Sequence, residues 1–140
     1  MTAPTTASKT KPAKTPKQKA PTLIICDDDQ MTRKIFRAVA ERCGYEVIAG
    51  VESAIEALQA VAAYRPDVLL LDLVLPHMSG EDIVAPIREV APGCTIVICS
   101  TYDPAAAIRN GAVFVVPKGS NEKLESTLNI LKARRAAAGV

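Results

Sequence analysis

The sequence contains no tryptophan and a single histidine, and none of its four cysteines forms a C-x-x-C pair. Zinc sites are built from Cys and His at short spacings, so we do not expect a zinc centre. Three of the four cysteines lie beside or within apolar stretches, which is typical of small buried side chains. We therefore expect free thiols in a reducing compartment.

The sequence also lacks any apolar run long enough to cross a membrane, because charge or proline interrupts each run within about 10 residues. The first 21 residues contain neither the apolar stretch of a signal peptide nor the arginines of a transit peptide. These absences predict a cytoplasmic protein with no membrane insertion.

Acidic residues are absent from positions 1–26, which hold five lysines. Of the 17 basic residues in the chain, 12 remain beyond this stretch against 15 acidic ones, so the body carries about −3 although the whole chain is formally +2. Residues 1–21 are rich in Thr, Lys, Ala and Pro, a composition that predicts a disordered tail. A solvated tether explains this tail more simply than contact with nucleic acid or an acidic membrane surface.

What the sequence does contain is an alternation of strand-like and helix-like patterns, in a chain long enough for one domain. Apolar, β-branched runs predict five strands, at residues 23–26, 46–49, 68–71, 95–99 and 112–116. Apolar residues recur at helical spacing between and after them: Met31, Ile35, Val39 and Cys43, then Ala54, Leu58 and Val61, then Ile83, Ile87 and Val90, and last Leu124, Leu128 and Leu131. The order predicts a doubly wound α/β domain, with a five-stranded parallel sheet and helices on both faces.

Several predicted helices carry end signals. Asp29 and Ser120 are good N-caps for the first and the last helix. Residues 103–111 begin with Asp-Pro and end with Asn-Gly, so they predict an unusually short fourth helix. Pro86 lies inside the third pattern and predicts a kink or a late start, because it removes a backbone hydrogen bond.

Ligands of doubly wound sheets bind at the carboxyl ends of the strands, and here four of the five strands end in polar residues. These are the acidic triplet 27–29 after the first strand, Asp72 after the third, Ser100 and Thr101 after the fourth, and Lys118 after the fifth. The second strand ends in Ala-Gly, as suits an edge strand away from the site.

The carboxylates among these residues predict a divalent cation. Carboxylates gathered on one rim repel, and Mg²⁺ prefers such oxygen ligands together with phosphate oxygens. An aspartate such as Asp72 can attack a phosphoryl group to form an acyl phosphate, while Lys118 neutralises charge and Ser100 donates a hydrogen bond. Each residue alone has a simpler interpretation as a cap or a solvated charge, but their coordinated placement favours a phosphoryl-accepting site.

This combination of motifs resembles the receiver domain of two-component response regulators, the CheY-like family. The resemblance covers residues 22–135 and rests on the acidic pair, the aspartate followed by "LVLPHMSG", the hydroxyl after the fourth strand and the lysine after "GAVFVV". It implies the flavodoxin-like strand order 2-1-3-4-5. Residues 136–140 would then form a flexible C-terminus.

The resemblance implies a role for each residue of the acidic group. Asp72 would be the phosphoacceptor and a Mg²⁺ ligand, Asp28 a direct ligand, and Asp27 a ligand chiefly through water. The backbone carbonyl of Val74 would complete the protein ligands, while its apolar side chain would obstruct water.

A second group would govern switching and the lifetime of the acyl phosphate. Ser100 resembles the switch hydroxyl, with Thr101 beside it, and Lys118 resembles the lysine that pairs with the phosphoryl group. The position that often carries a switch aromatic is Val115 here. Tyr102 would obstruct attacking water, which predicts a comparatively long-lived phosphoryl group.

The chain departs from the family pattern around the fifth strand. The family usually has proline after the lysine, whereas here Pro117 precedes Lys118 and Gly119 follows it. Phe114 is next to the switch position and is expected on the other face of the strand. The short helix at 103–111 predicts an altered partner surface.

The resemblance implies a stand-alone response regulator that is not an enzyme. Asp72 would accept a phosphoryl group from a sensor histidine kinase or a histidine phosphotransfer protein, and the chain would signal by phosphorylation-dependent contact with an unidentified protein. One alternative is a pseudo-receiver, or a binding module that uses basic tails for an anionic ligand. Another is a Mg²⁺-dependent phosphatase or phosphotransferase. Arg134 and Arg135 are explained more simply by favourable charge at a helix C-terminus.

Overall fold

The structure, a computed structural model, describes residues 19–101 and 114–138. Its strands are β1 (Thr22–Cys26), β2 (Glu46–Val51), β3 (Val68–Leu71), β4 (Thr95–Ser100) and β5 (Phe114–Pro117). They form one sheet in the order β2-β1-β3-β4-β5, and every neighbouring pair is parallel. The predicted doubly wound sheet and its strand order are confirmed, and β2 lies at an edge as expected.

Four helices lie in the described part of the chain: α1 (Gln30–Arg42), α2 (Ala54–Tyr64), α3 (Glu81–Val90) and α4 (Asn121–Ala137). Asp29 accepts a hydrogen bond from the Thr32 backbone amide, and Ser120 accepts one from the Lys123 amide. The predicted N-caps of α1 and α4 are therefore confirmed. Within the described ranges, no helix is both long enough and apolar enough to span a membrane.

The core consists of two layers, one on each face of the sheet, because alternate strand residues point to opposite sides. In β1, Ile24 and Cys26 pack beneath α2 and α3, whereas Leu23 and Ile25 pack beneath α1 and α4. All four residues of β3 are buried, as expected for a central parallel strand covered on both faces. The helices thus hold the carboxyl ends of the central strands in one place.

The buried residues of α1 do not coincide with the four-residue repeat from which the helix is predicted. Met31 and Ile35 are 61% and 40% exposed, while Phe36, Val39 and Cys43 are buried. A strict four-residue repeat drifts around a helix by about 40° per step, because four residues exceed one turn of 3.6. The buried residues instead follow the three- and four-residue spacing that keeps one face toward the sheet. The repeat therefore predicts the helix, which is confirmed, but not which of its apolar residues are buried.

The third helix also differs in part from its prediction. α3 begins at Glu81 and continues through Pro86, so a late start caused by the proline is wrong. Ile83 and Ile87 are buried on this helix, and their packing offsets the lost backbone hydrogen bond. The short helix predicted at 103–111 lies outside the described residues.

Candidate functional site

The residues predicted at the strand ends meet at the carboxyl edge of the sheet. Asp27 directly follows β1, Asp72 directly follows β3, and Ser100 ends β4; all three are buried. Asp28 is exposed beside them, and oxygens of Asp27, Asp28 and Asp72 lie within 4.8 Å of one another. Because β1 and β3 pair in parallel register, their ends are neighbours. The predicted clustering is thus observed.

Lys118 follows β5 and bridges two of the carboxylates. Its Nζ lies 2.8 Å from Asp27 Oδ2 and 2.9 Å from Asp72 Oδ2. Its backbone amide donates to the Ser100 carbonyl at 3.1 Å, which extends the pairing of β4 and β5 by one step. Gly119 follows with a φ of +95°, a conformation that favours glycine. The chain therefore turns through a glycine at the position where the family usually has proline.

Burial and charge act in opposite directions on this group. Burial is the largest effect on Asp72 and raises its pKa. Hydrogen bonds from Lys118 and from the Val74 amide lower the pKa, and the negative charge of Asp27 raises it. The net result is a raised pKa. Burial lowers the pKa of Lys118, but contacts with Asp27 and Asp72 outweigh burial and raise it. The lysine therefore stays protonated at neutral pH and holds the two carboxylates together.

The acidic group fits a hard divalent cation. Asp27 is completely buried, and its Oδ1 accepts the Asp29 backbone amide at 2.9 Å. Its Oδ2 ion-pairs with Lys118, but no hydrogen-bond donor in the described part of the chain is aligned with it. A buried carboxylate oxygen without an aligned donor has unused capacity for a cation, and Asp28 adds an accessible carboxylate. Asp27, Asp28 and Asp72 are thus able to hold Mg²⁺.

Val74 and Thr101 lie at the rim of the site. The Val74 backbone amide donates to Asp72 Oδ1 at 3.2 Å, and the Val74 side chain is 56% exposed. Thr101 is exposed directly after β4. The metal-binding role of the Val74 carbonyl and the switch role of Thr101 stay predictions, and Tyr102 lies outside the described residues.

The two faces of β5 match the predicted alternation. Phe114 and Val116 pack with the layer beneath α1 and α4, whereas Val115 is 39% exposed on the other face. The aromatic ring next to the switch position therefore points away from it. Whether Val115 takes part in switching stays a prediction.

The loop between β3 and α3 packs closely against Asp72. Ser79 Oγ and the Gly80 backbone amide both donate to the Leu73 carbonyl, at 3.1 and 2.9 Å. A Cβ at Gly80 would overlap the carbonyl oxygen of Asp72, so this close approach requires glycine. His77, in the same loop, has a left-handed φ of +68°, which is strained for a residue with a Cβ.

Arg33, for which the sequence pattern gave no prediction, contacts the backbone of the site. Its Nη1 donates to the Asp27 carbonyl at 2.8 Å, and its Nη2 lies 3.6 Å from Glu52 Oε2. The available signal was its position four residues after the Asp29 cap, which places it on the helix turn nearest the acidic triplet.

The strand order, the three clustered carboxylates and the lysine at the carboxyl edge together define the class of protein. The model of the response regulator receiver domain matches residues 23–129, and the chain belongs to this family. Receiver domains take phosphoryl groups from histidine kinases or phosphotransfer proteins and bind Mg²⁺ at an acidic aspartate cluster.

Similar proteins include one that the match covers almost completely and longer enzymes that it covers only in part. The chemotaxis protein CheY of Thermotoga maritima is 28% identical over 112 residues, which are 76% of this chain and 93% of that protein. A protein-glutamate methylesterase/protein-glutamine glutaminase of Hahella chejuensis is 31% identical over 102 residues, which are 69% of this chain but 29% of that enzyme. The receiver (REC) domain of AraT, a response regulator from Geobacillus stearothermophilus, is 26% identical with a TM-score of 0.77, covering 87% of this chain and 100% of that structure. Receiver domains of this kind are non-catalytic phosphoacceptors, although some relatives are enzymes.

Proposed function

We propose that this chain is a response regulator whose Asp72 accepts a phosphoryl group from the phosphohistidine of a sensor histidine kinase or a histidine phosphotransfer protein. The placement of Asp72 carries the proposal. It lies at the end of β3, 2.9 Å from Lys118 Nζ, and belongs to the acidic group. Asp27 also contacts Lys118 but is completely buried, and Asp28 is exposed. Asp72 is the carboxylate that combines the lysine contact with a small residual exposure of 4%, against 0% for Asp27.

The proposed transfer requires little of the protein beyond position and charge. One oxygen of Asp72 bonds to phosphorus while the donor's N–P bond breaks, and the electron pair of that bond stays on the imidazole nitrogen. The Val74 amide holds Oδ1 of Asp72, and Lys118 contacts Oδ2. The Lys118 ammonium then exchanges a carboxylate oxygen for a phosphoryl oxygen, so negative charge stays paired.

Two further groups complete the proposed site. Mg²⁺, when held by Asp27, Asp28 and Asp72, neutralises charge on the transferred oxygens. Ser100 ends β4 at the same edge of the sheet, where its hydroxyl can donate to a phosphoryl oxygen.

We further propose that the chain acts as a stand-alone receiver in the cytoplasm, with residues 1–21 as a tail and 22–135 as the receiver. The match to 93% of the length of a CheY protein supports the stand-alone arrangement. Signalling would then occur by phosphorylation-dependent contact with another protein. The only chemistry would be transfer to and loss from the chain's own aspartate, so the protein would not be an enzyme with a separate substrate.

Phosphorylation by a small donor tests the proposal. We expect phosphoramidate with Mg²⁺ to add one hydroxylamine-labile phosphoryl group to the full chain, measured by intact-protein mass spectrometry. Asp72→Asn should abolish the added mass, whereas Asp29→Asn, which keeps a good N-cap, should not. Equal labelling of Asp72→Asn would contradict the proposal, as would labelling that survives removal of Mg²⁺ by a chelator.

The alternative of an anionic ligand at the end of α4 gains no support from the described contacts. Arg135 Nη1 lies 2.8 Å from Asp67 Oδ1, and the Arg134 guanidinium lies 5.5 Å from the centre of the Phe114 ring. These contacts favour a structural role for both arginines.

A further inference from the structure

The acidic loop, residues 27–29, is held in place largely by backbone hydrogen bonds. The Asp27 amide donates to the Val51 carbonyl at 3.0 Å, which ties the start of the loop to β2. At the other end, the Arg33 amide donates to the Asp29 carbonyl at 3.0 Å as α1 begins. The Arg33 side chain adds a bond from Nη1 to the Asp27 carbonyl at 2.8 Å. Arg33 therefore bonds to both ends of the acidic loop.

The Arg33 side chain also contacts the end of β2 and the residue that follows it. It is 18% exposed, and its Nη2 lies 3.6 Å from Glu52 Oε2. Its stem passes beside Gly50, where a Cβ would lie 3.5 Å from Arg33 Cδ. A guanidinium with two separate partners has a defined orientation, because its nitrogens form a rigid planar fork.

We propose that Arg33 is a positioning residue for the cation site, acting through the Asp27 carbonyl; this inference rests on the proposed function. The Asp27 carbonyl and the Asp28 amide belong to one planar peptide group. A bond that fixes this plane fixes the position of the Asp28 Cα and leaves rotation about the N–Cα bond to set the direction of the side chain. Asp28 is the exposed member of the acidic group, so it depends most on its backbone for direction. Groups behind the ligands of a metal commonly tune its affinity in this way.

The positive charge of Arg33 and its positioning role predict opposite changes in Mg²⁺ affinity when Arg33 is replaced, so the inference can be tested by the sign of the change. A guanidinium close to a divalent cation repels it, so loss of the Arg33 charge by itself should tighten Mg²⁺ binding. Loss of positioning should weaken binding instead. The sign of the change in Mg²⁺ affinity therefore separates the two effects.

The experiment compares Arg33→Met with Arg37→Met in the full chain. Methionine keeps an unbranched stem but has neither charge nor donors, and Arg37 carries the same charge one turn further along α1, in an exposed pair with Glu41 at 3.5 Å. We expect the dissociation constant of Mg²⁺, measured by calorimetry at fixed ionic strength, to rise about 10-fold in Arg33→Met. It should stay within about twofold of wild type in Arg37→Met, because an exposed charge is screened.

An amide NMR spectrum without Mg²⁺ supplies a second measurement. In Arg33→Met the Asp28 amide resonance should move, because its own peptide group has lost a hydrogen bond, and in Arg37→Met it should stay in place. Unchanged or tighter Mg²⁺ binding in Arg33→Met, with wild type binding normally, would overturn the inference alone. Absence of Mg²⁺ binding in wild type would overturn the proposed cation site and the inference together.

A second variant guards against loss of folding in Arg33→Met. Arg33→Lys keeps the charge but has one nitrogen in place of the two that reach the Asp27 carbonyl and Glu52. We expect weaker Mg²⁺ binding there too, at an unchanged melting temperature. Binding equal to wild type would contradict the positioning role.

Discussion

Lys118 contacts two carboxylates with one ammonium group. With Asp27, Asp28 and Asp72 ionised and Lys118 protonated, three negative charges face one positive charge, which leaves a formal charge of −2. A divalent cation cancels this remainder, whereas a second lysine would cancel only half of it. At the scale of the residue, the charges of these four side chains therefore favour a divalent cation in the site.

Gly80 gives a prediction at the same scale. A Cβ there would overlap the Asp72 carbonyl, so Gly80→Ala should force the loop away from the site and cost about 2 kcal/mol of the free energy of unfolding. Urea denaturation measures this loss. Gly93→Ala is the matched control, because a Cβ at that position would have no atom within 4 Å apart from those of its own chain neighbours. Equal stability of the two variants would show that the loop accommodates the methyl group.

At the scale of the element, α4 is tied to the short connection between α1 and β2. The Tyr45 hydroxyl donates to the Leu128 carbonyl at 2.7 Å, and Lys132 Nζ donates to the Cys43 carbonyl at 3.1 Å. The last helix is therefore held against the connection between α1 and β2, at the edge of the sheet opposite the site.

Tyr45→Phe tests how much this contact stabilises the fold. Removing a buried hydroxyl that is hydrogen-bonded to Leu128 should lower the free energy of unfolding by about 1 kcal/mol, with the ring still packed. Tyr64→Phe is the control, since Tyr64 is 58% exposed and should change stability little. Chemical denaturation of both variants gives the comparison. A loss in Tyr64→Phe as large as that in Tyr45→Phe would contradict the role of the hydrogen bond.

At the scale of the whole molecule, the buried thiols predict how stability depends on pH. Burial is the main cause that raises the pKa of Cys26, Cys94 and Cys99 from 9.0 to about 12. Between these two pH values the thiols keep their protons in the folded state and release them in the unfolded state. The free energy of unfolding therefore falls as the pH rises. The contribution is complete below about pH 9 and disappears toward pH 12. The raised pKa of Lys118 acts in the same direction.

We expect the free energy of unfolding, measured in urea, to fall steadily from pH 8.5 to pH 10.5, the range that spans the first part of this window. Cys99→Ala should be less stable at every pH but should show a smaller slope, because it has one buried thiol fewer. A slope equal to that of wild type would mean that Cys99 does not contribute to the alkaline loss.

The sequence by itself determined the order of strands and helices and the residues at the strand ends. Continuous apolar runs marked β1 and β3, and a parallel sheet brings the carboxyl ends of its strands to one edge. The meeting of Asp27, Asp72 and Lys118 was therefore predictable from position along the chain alone. Their roles in phosphoryl transfer stay predictions until the site is tested.

The tertiary structure alone decided which face of α1 is buried and how the site is held. Met31 and Phe36 are both apolar, and packing against the sheet selected Phe36. The bond from Arg33 to the Asp27 carbonyl depends on where α1 lies beside β2, since a flexible side chain has many directions open to it in the isolated helix. Periodicity and spacing act along the chain, whereas these contacts arise only after distant segments have packed.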